Sequence, residues 1–286
     1  MASFSWNLIA DLHDQLQYSF MVNAYAAGII VSVVAGVVGY FVILRGLSFA
    51  AHALSHIGFA GATGAIVFGI SPVWGLFAFT TSAAIGMGLL GKRIHGRDVT
   101  TGIVLSWTLG LGVLFLSLYS GYATEAYALL FGQILGISQR DVMITMIAGV
   151  IILVAIAALY RPLLFASVDE EVAEARGVPV RSLSVAFMIV LALAVSEAVQ
   201  IVGILLIFAL LVTPAAVAEY LTARPGRAIV ISVLLALLFT LAGLFVSFYL
   251  PYPVSFFITT FAFITYIAVR IYDHVAHRAQ RLHRIS

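Results

Sequence analysis

The sequence predicts an all-α, polytopic integral membrane protein with eight or nine transmembrane helices. Three observations predict it. Hydrophobic residues make up 63% of the 286-residue chain and charged residues only 9%, against about 45–50% and 25% in a soluble domain. The apolar residues fall in runs of roughly 20, the length that crosses a ~30 Å hydrocarbon core as a helix. The positive charges gather between these runs. Mean hydropathy is +1.14, and no soluble globule of this size hides so much apolar surface. The absence of cysteine excludes disulfides, thiolate metal sites and cysteine nucleophiles. The first twenty residues carry Asp11, His13 and Asp14 and do not read as a cleavable signal peptide.

Nine runs are expected as spans of a single transmembrane domain over residues 1–286: 20–44, 48–70, 72–91, 102–120, 140–160, 182–198, 200–221, 228–250 and 254–272. Lys92, Arg93 and Arg97 follow the third run. Arg161, Arg176 and Arg181 flank the loop after the fifth. Arg224 and Arg227 follow the seventh, and Arg270, Arg278, Arg281 and Arg284 close the chain. Nine spans put all of these, with Arg45, on one side, and leave only Arg140 on the other. The positive-inside rule makes the basic side cytoplasmic and the N-terminus external. An eight-span reading treats 182–221 as one broken span or demotes the N-terminal segment.

The connections have their own character. Residues 120–139 are too apolar for a free loop and too short for a span, so a short interfacial or re-entrant helix is expected there. In the cytoplasmic loop 161–181, Ser167 and Glu170 match a capping box. Asp169, Glu170 and Glu171 suit the positive end of a helix dipole, and Gly177 and Pro179 stop the helix. Two readings of this short helix at 168–179 stand: a rigid knob for a partner to push on, or an ordinary capped connector. Between the sixth and seventh runs, Ser196-Glu197-Ala198-Val199-Gln200 is either a tight outer turn or a helix break at membrane depth. Glu197 is the one acid near the middle of an apolar run. It lies in a transport pathway or at the outer interface. The basic tail 272–286, with His274, His277 and His283, reads as attracted to anionic membrane lipid.

The candidate site is in the second run. His52 and His56 are four residues apart, so on a helix they share a face with Cβ atoms about 5–6 Å apart. Two imidazoles at that distance suit zinc, iron, copper or nickel. Ionisable groups inside a span mark pathways or binding sites; the plainer reading is two histidines bonded to neighbouring helices. The pair is no metalloprotease motif, because Ala53 stands where H-E-x-x-H needs its Glu. Gly86 to Arg93 imitates a phosphate loop, but Arg93 replaces the Ser or Thr and a membrane run precedes it. No nucleotide site and no nucleic-acid partner are expected, so any ATP hydrolysis belongs to another subunit and the chain is not itself an enzyme. Gly58, Gly61 and Gly64 give the second run a small face for close helix packing.

Three stretches then carry a resemblance. They are Phe41-Val-Ile-Leu-Arg45 with Phe49 and Ala53-Leu-Ser-His56-Ile57; Leu130-Phe-Gly-Gln-Ile-Leu-Gly136-Ile-Ser138; and Asp169 to Pro179 with Gln200-Ile-Val-Gly-Ile-Leu-Leu206 and Ala209 to Ala216. In this order and spacing, from about Tyr25 to Ile271, the chain resembles the membrane permeases of zinc/manganese-type ABC importers, the ABC-3 family. The resemblance implies a type II-like permease fold in the bacterial plasma (inner) membrane and a homodimer. It implies cytoplasmic ABC ATPase subunits and an extracytoplasmic metal-binding protein. It implies that 168–179 is the coupling helix, with Asp169, Glu170, Glu171, Glu174, Arg176 and Gly177 toward the ATPase. His56 matches the His of the family's Asp-Ala-Leu-Ser-His motif. His52 stands where the Asp is usual, and Gln133 where an acid is common. A second imidazole is softer than a carboxylate and favours zinc over manganese. The expected function is import of a divalent transition metal, zinc first and manganese next, past His52 and His56, with Glu197 near the outer path. No cofactor is expected on this chain, the metal being cargo. The rivals are a permease for chelated metal or another small solute, a stand-alone proton-coupled carrier using His52, His56 and Glu197, and an intramembrane hydrolase.

Overall fold

The structure, a computed structural model, describes residues 8–89, 94–118, 132 and 134–283. Among them are helices, one 3-10 turn at Ile134–Gly136, and no strand. The helices are α1 (Leu8–Leu16), α2 (Ser19–Leu44), α3 (Ser48–Val67), α4 (Pro72–Leu89), α5 (Ile94–Leu118), α6 (Gln139–Val168), α7 (Glu170–Ala175), α8 (Val180–Val202), α9 (Ile204–Leu221), α10 (Pro225–Tyr249) and α11 (Val254–His283). Each of the nine expected runs forms a long helix. Eight of these are long and apolar enough to cross a membrane. The other is α3, diluted by its histidines, hydroxyls and glycines; it is buried by protein instead.

Two groups of helices pack together. In the first, α2 lies against α6, α8, α9 and α10, with α11 covering α9 and α10. In the second, α3 lies between α4 and α5. The groups meet where α4 and α3 pack on α8 and where α3 packs on α9. α2 carries apolar residues on nearly all of its faces, as suits a helix mostly buried in a membrane bundle. Hydroxyls tie it to α10: Ser32 Oγ donates to Thr240 Oγ1 at 2.7 Å, and Ser232 Oγ to the Gly36 carbonyl at 2.9 Å. α3 and α4 instead touch through glycine. A Cβ on Gly61 would lie 2.3 Å from the Gly75 carbonyl oxygen, and one on Gly75 would lie 2.0 Å from that of Gly61. Small residues allow that approach where lipid offers no hydrophobic force between helices.

α2 ends in a Schellman motif. The Gly46 amide donates to the Ile43 carbonyl (2.9 Å) and the Leu47 amide to the Val42 carbonyl (2.8 Å). Gly46 sits at φ +64°, where a side chain is disfavoured. α3 begins at Ser48, directly after Leu47, so the α2–α3 turn is as short as such a motif permits.

The structure corrects three local expectations. The chain break lies at Gly203 (φ +82°, ψ 165°), beyond Ser196–Gln200. Glycine tolerates that backbone and Gln200 does not need to: its side chain bonds back to the Ser196 carbonyl within a continuing helix. Glu197 is therefore inside α8. The backbone of Gly132 presses on this break; a Cβ there would lie 2.4 Å from the Val202 carbonyl carbon. Second, the fifth run does not stop near 160 but continues as α6 through Arg161 and Pro162 to Val168. Third, Ser167 is therefore not a helix cap: its hydroxyl donates to the Leu163 carbonyl at 2.6 Å. Asp169 caps α7 instead, its Oδ1 accepting from the Val172 amide at 2.9 Å. A capping box does occur one helix earlier, where Ser138 and Asp141 open α6 reciprocally.

Other expectations fall partly outside the described residues. The interfacial helix in 120–139 is one, of which residues 132 and 134–139 are described, with a 3-10 turn at Ile134–Gly136; Gln133, Lys92 and Arg93 are others. α11 runs on as helix to His283 through most of the basic tail.

One helix was not expected. α1 precedes the first run with its polar side turned inward. Asp11 and Gln15 are buried while Ile9, Leu12 and Leu16 are exposed. Gln15 accepts from the Tyr25 hydroxyl at 2.5 Å and donates to the Phe245 carbonyl at 3.2 Å.

Candidate functional site

From Ala50 to Ala65 every residue of α3 is buried except two, His52 and His56. The helical repeat places both on one face. Their ring centroids are 4.6 Å apart with planes at 73°. Phe208 of α9 meets the His52 ring edge-to-face at 5.0 Å. Counted from Ser48 at 1.5 Å per residue, the two rings stand about 6 and 12 Å along α3, in the half nearer Arg45. Neither imidazole has a hydrogen bond to another group among the described residues. The plainer reading, two histidines bonded to neighbouring helices, therefore finds no support in the geometry. The pair is a part-buried set of imidazole donors in the otherwise buried stretch from Ala50 to Ala65.

Glu197 does not join it. Its side chain is 3% exposed, and its Oε1 would lie 3.3 Å from a Cβ on Gly149, in the company of Ile30 and Val34. That places it against α2 and α6. Neither carboxyl oxygen has a hydrogen-bond partner among the described residues. Its neighbour Ser196 is bonded to Thr80 of α4 at 2.7 Å. No cluster of three or more His, Asp or Glu side chains able to hold a metal occurs among the described residues. Two imidazoles alone would fill two of a zinc ion's four positions and leave the other two to water or to an arriving carrier. A site so incomplete would release its ion, as conduction requires.

The second predicted group is α7. Ala173 is buried and Val178 partly so, while Asp169, Glu170, Glu171, Glu174, Arg176 and Gly177 are exposed. The Gly177 and Val178 amides return to the Glu174 and Ala173 carbonyls and close the helix. The result is a compact acidic knob seated on the ends of α6 and α8.

Sequence reasoning missed Arg45 as part of this region. Its Nη2 donates to Ser184 Oγ of α8 at 2.9 Å and its Nη1 to Ser167 Oγ of α6 at 3.4 Å. The signal was available: a lone arginine at the end of an apolar run, next to a glycine.

A helical bundle with eight helices long and apolar enough to cross a membrane, a polar pair on a sheltered inner helix and a capped, exposed knob has the architecture of a multi-pass membrane permease. The chain belongs to the ABC 3 transport family, whose model matches residues 17–273, and it is a protein of the bacterial plasma membrane. It is 34% identical to the manganese transport system membrane protein MntC of Listeria monocytogenes, over 83% of this chain and 85% of that one. It is 34% identical to the manganese import system permease protein ScaB of Streptococcus parasanguinis, over 87% and 89%. Among solved structures it superposes on a chain of PsaBC from Streptococcus pneumoniae in complex with Fab. There the TM-score is 0.81 with 32% identity, covering 92% of this chain and 95% of that one. A metal-chelate type ABC transporter in an inward-facing conformation shares the fold alone, at TM-score 0.72 and 18% identity over 94% and 91%.

Proposed function

We propose that this chain is the permease of an ATP-driven importer that takes up divalent zinc, with His52 and His56 as transient ligands. The carrying observation is the pair itself: two imidazoles, the two part-exposed residues between Ala50 and Ala65, with no carboxylate joining them among the described residues. Neutral nitrogen donors suit zinc, whereas manganese prefers carboxylate and water oxygen. The exposed acidic α7 serves as the contact with cytoplasmic ATPase subunits. An extracytoplasmic metal-binding protein delivers the ion, and a second copy of this chain completes the pathway. Glu197, buried against α2 and α6 apart from the pair, lies near the outer part of the path. Manganese is the second reading, favoured by the names of the relatives; a chelated metal or small solute is the third.

The test is uptake of radioactive zinc and manganese by cells carrying this chain with its ATPase and binding protein. Wild type is compared with His52→Ala, His56→Ala and His52→Asp. Zinc uptake is expected to fall to background in both alanine variants while the complex still assembles, and His52→Asp is expected to shift preference toward manganese. Normal zinc uptake in both alanine variants would remove the pair from the path. A wild type that moves manganese and not zinc would hand the site to the second reading.

A further inference from the structure

Arg45 occupies an unusual place. It caps the C-terminal end of α2, and its guanidinium reaches two other helices at once. Ser167 is the penultimate residue of α6, and Ser184 is in the first turns of α8. Between those two points the chain makes α7. Arg45 therefore grips both stems from which the acidic knob projects. Its Cζ also lies 5.7 Å from the centroid of the Phe187 ring, one turn further along α8, within cation–π range. From Arg45 the backbone passes through the Schellman turn at Gly46 and Leu47 straight into α3. His52 follows seven positions after Arg45.

We propose that Arg45 is the positioning residue that couples α7 to the histidine pair. The inference rests on the importer reading above. Pressure on α7 displaces its stems; the guanidinium, bonded to both, carries the displacement into the α2–α3 turn; and the turn moves the first half of α3. Arginine suits this because its planar fork serves two acceptors in a fixed geometry. Lysine keeps the charge on a flexible stem and cannot hold the same fixed clasp. α3 also packs on α8 directly, but it makes no side-chain hydrogen bond to another helix among the described residues, so the directed link is the one through Arg45.

The experiment uses the whole complex, permease with ATPase and binding protein, in proteoliposomes loaded with zinc outside. Three permeases are compared with wild type: Arg45→Lys, Arg45→Gln, and the Ser167→Ala/Ser184→Ala double variant, which keeps the arginine and removes its acceptors. Zinc moved per ATP hydrolysed is expected to fall at least about fivefold in all three, the lower end of ordinary coupling energies, with assembly and basal ATP hydrolysis retained. A merely structural arginine would lower hydrolysis, uptake and melting temperature together. A second readout does not involve transport. The native chain has no cysteine, so a spin label at Phe49→Cys, in the exposed first turn of α3, reports that helix alone. Its spectrum is expected to change on ATP binding with Arg45 present and to stay fixed in Arg45→Lys. A label that responds equally in both, or an unchanged ratio of zinc to ATP in the lysine and double-serine variants, overturns the proposal. If wild type hydrolyses ATP and moves no metal, the importer reading fails, and the label still decides whether Arg45 links α7 to α3.

Discussion

α2 and α3 are consecutive, joined by a three-residue turn, and both buried, yet they are held in different ways. α2 is tied to its surroundings by directed bonds. Asn23 donates to the Ile137 carbonyl, Tyr25 to Gln15, Ser32 to Thr240 and Arg45 to two serines, while Ser232 donates to its Gly36 carbonyl. Among the described residues the hydroxyls of Ser55 and Thr63 on α3 bond within their own helix, to the Ala51 and Phe59 carbonyls. What holds α3 is shape: glycine against glycine at Gly61 and Gly75, and Gly58 and Gly64 against Thr80 and Phe115. A hydrogen-bonded helix has one register. A helix held by shape has its position set by packing alone, with no inter-helix hydrogen bond to break among the described residues. The contrast divides a helix tied by directed bonds from one held by close packing, and the candidate ligands are on the second.

The contrast can be broken in order of expected effect. Gly61→Leu should do most, because its Cβ alone meets backbone oxygen and the Phe79 Cβ at 2.6 Å. The cost should reach or exceed the ~3 kcal/mol upper end of ordinary overpacking, and the chain should fail to accumulate in the membrane. A Gly61→Leu variant that accumulates and melts like wild type in detergent would show that the α3–α4 contact is loose. Removing the α2–α10 bond with Ser32→Ala and Thr240→Val should cost about 0.6 kcal/mol, the average for a hydrogen bond between membrane helices, seen as a small fall in melting temperature. Ser55→Ala should do least. Its hydroxyl serves its own helix, so stability should move by less than for the Ser32/Thr240 pair. If Ser55→Ala costs more than the Ser32/Thr240 pair, α3 is not the less tethered of the two.

The sequence made most of this fold legible because span-forming runs are long and their physics is simple. All nine runs became helices at close to their expected positions. Local chemistry was read less well. Ser167 looked like a cap because a serine three residues before a glutamate usually is one, but α6 had not yet ended there. Its continuation through Pro162 depends on tertiary packing that no local pattern displays. The Ser196–Gln200 interruption drew attention by polarity, whereas backbone conformation put the break at Gly203. The histidine pair was legible from its spacing alone. Its seclusion was not, since burial of every other residue from Ala50 to Ala65 depends on where α4, α5, α8 and α9 lie. α1 escaped notice because its polar residues face inward, opposite to the usual amphipathic sense.

The contact between Gly132 and the α8–α9 break has a consequence for the history of this chain. Any side chain at 132 would collide with the backbone at Val202 and Gly203, so the two glycines constrain each other from 71 positions apart. Sequences can drift to a third identity and keep this fold only if both glycines stay or both segments are rebuilt together. Positions 132 and 203 are accordingly expected to be among the slowest to change in any lineage that descends from the same ancestor.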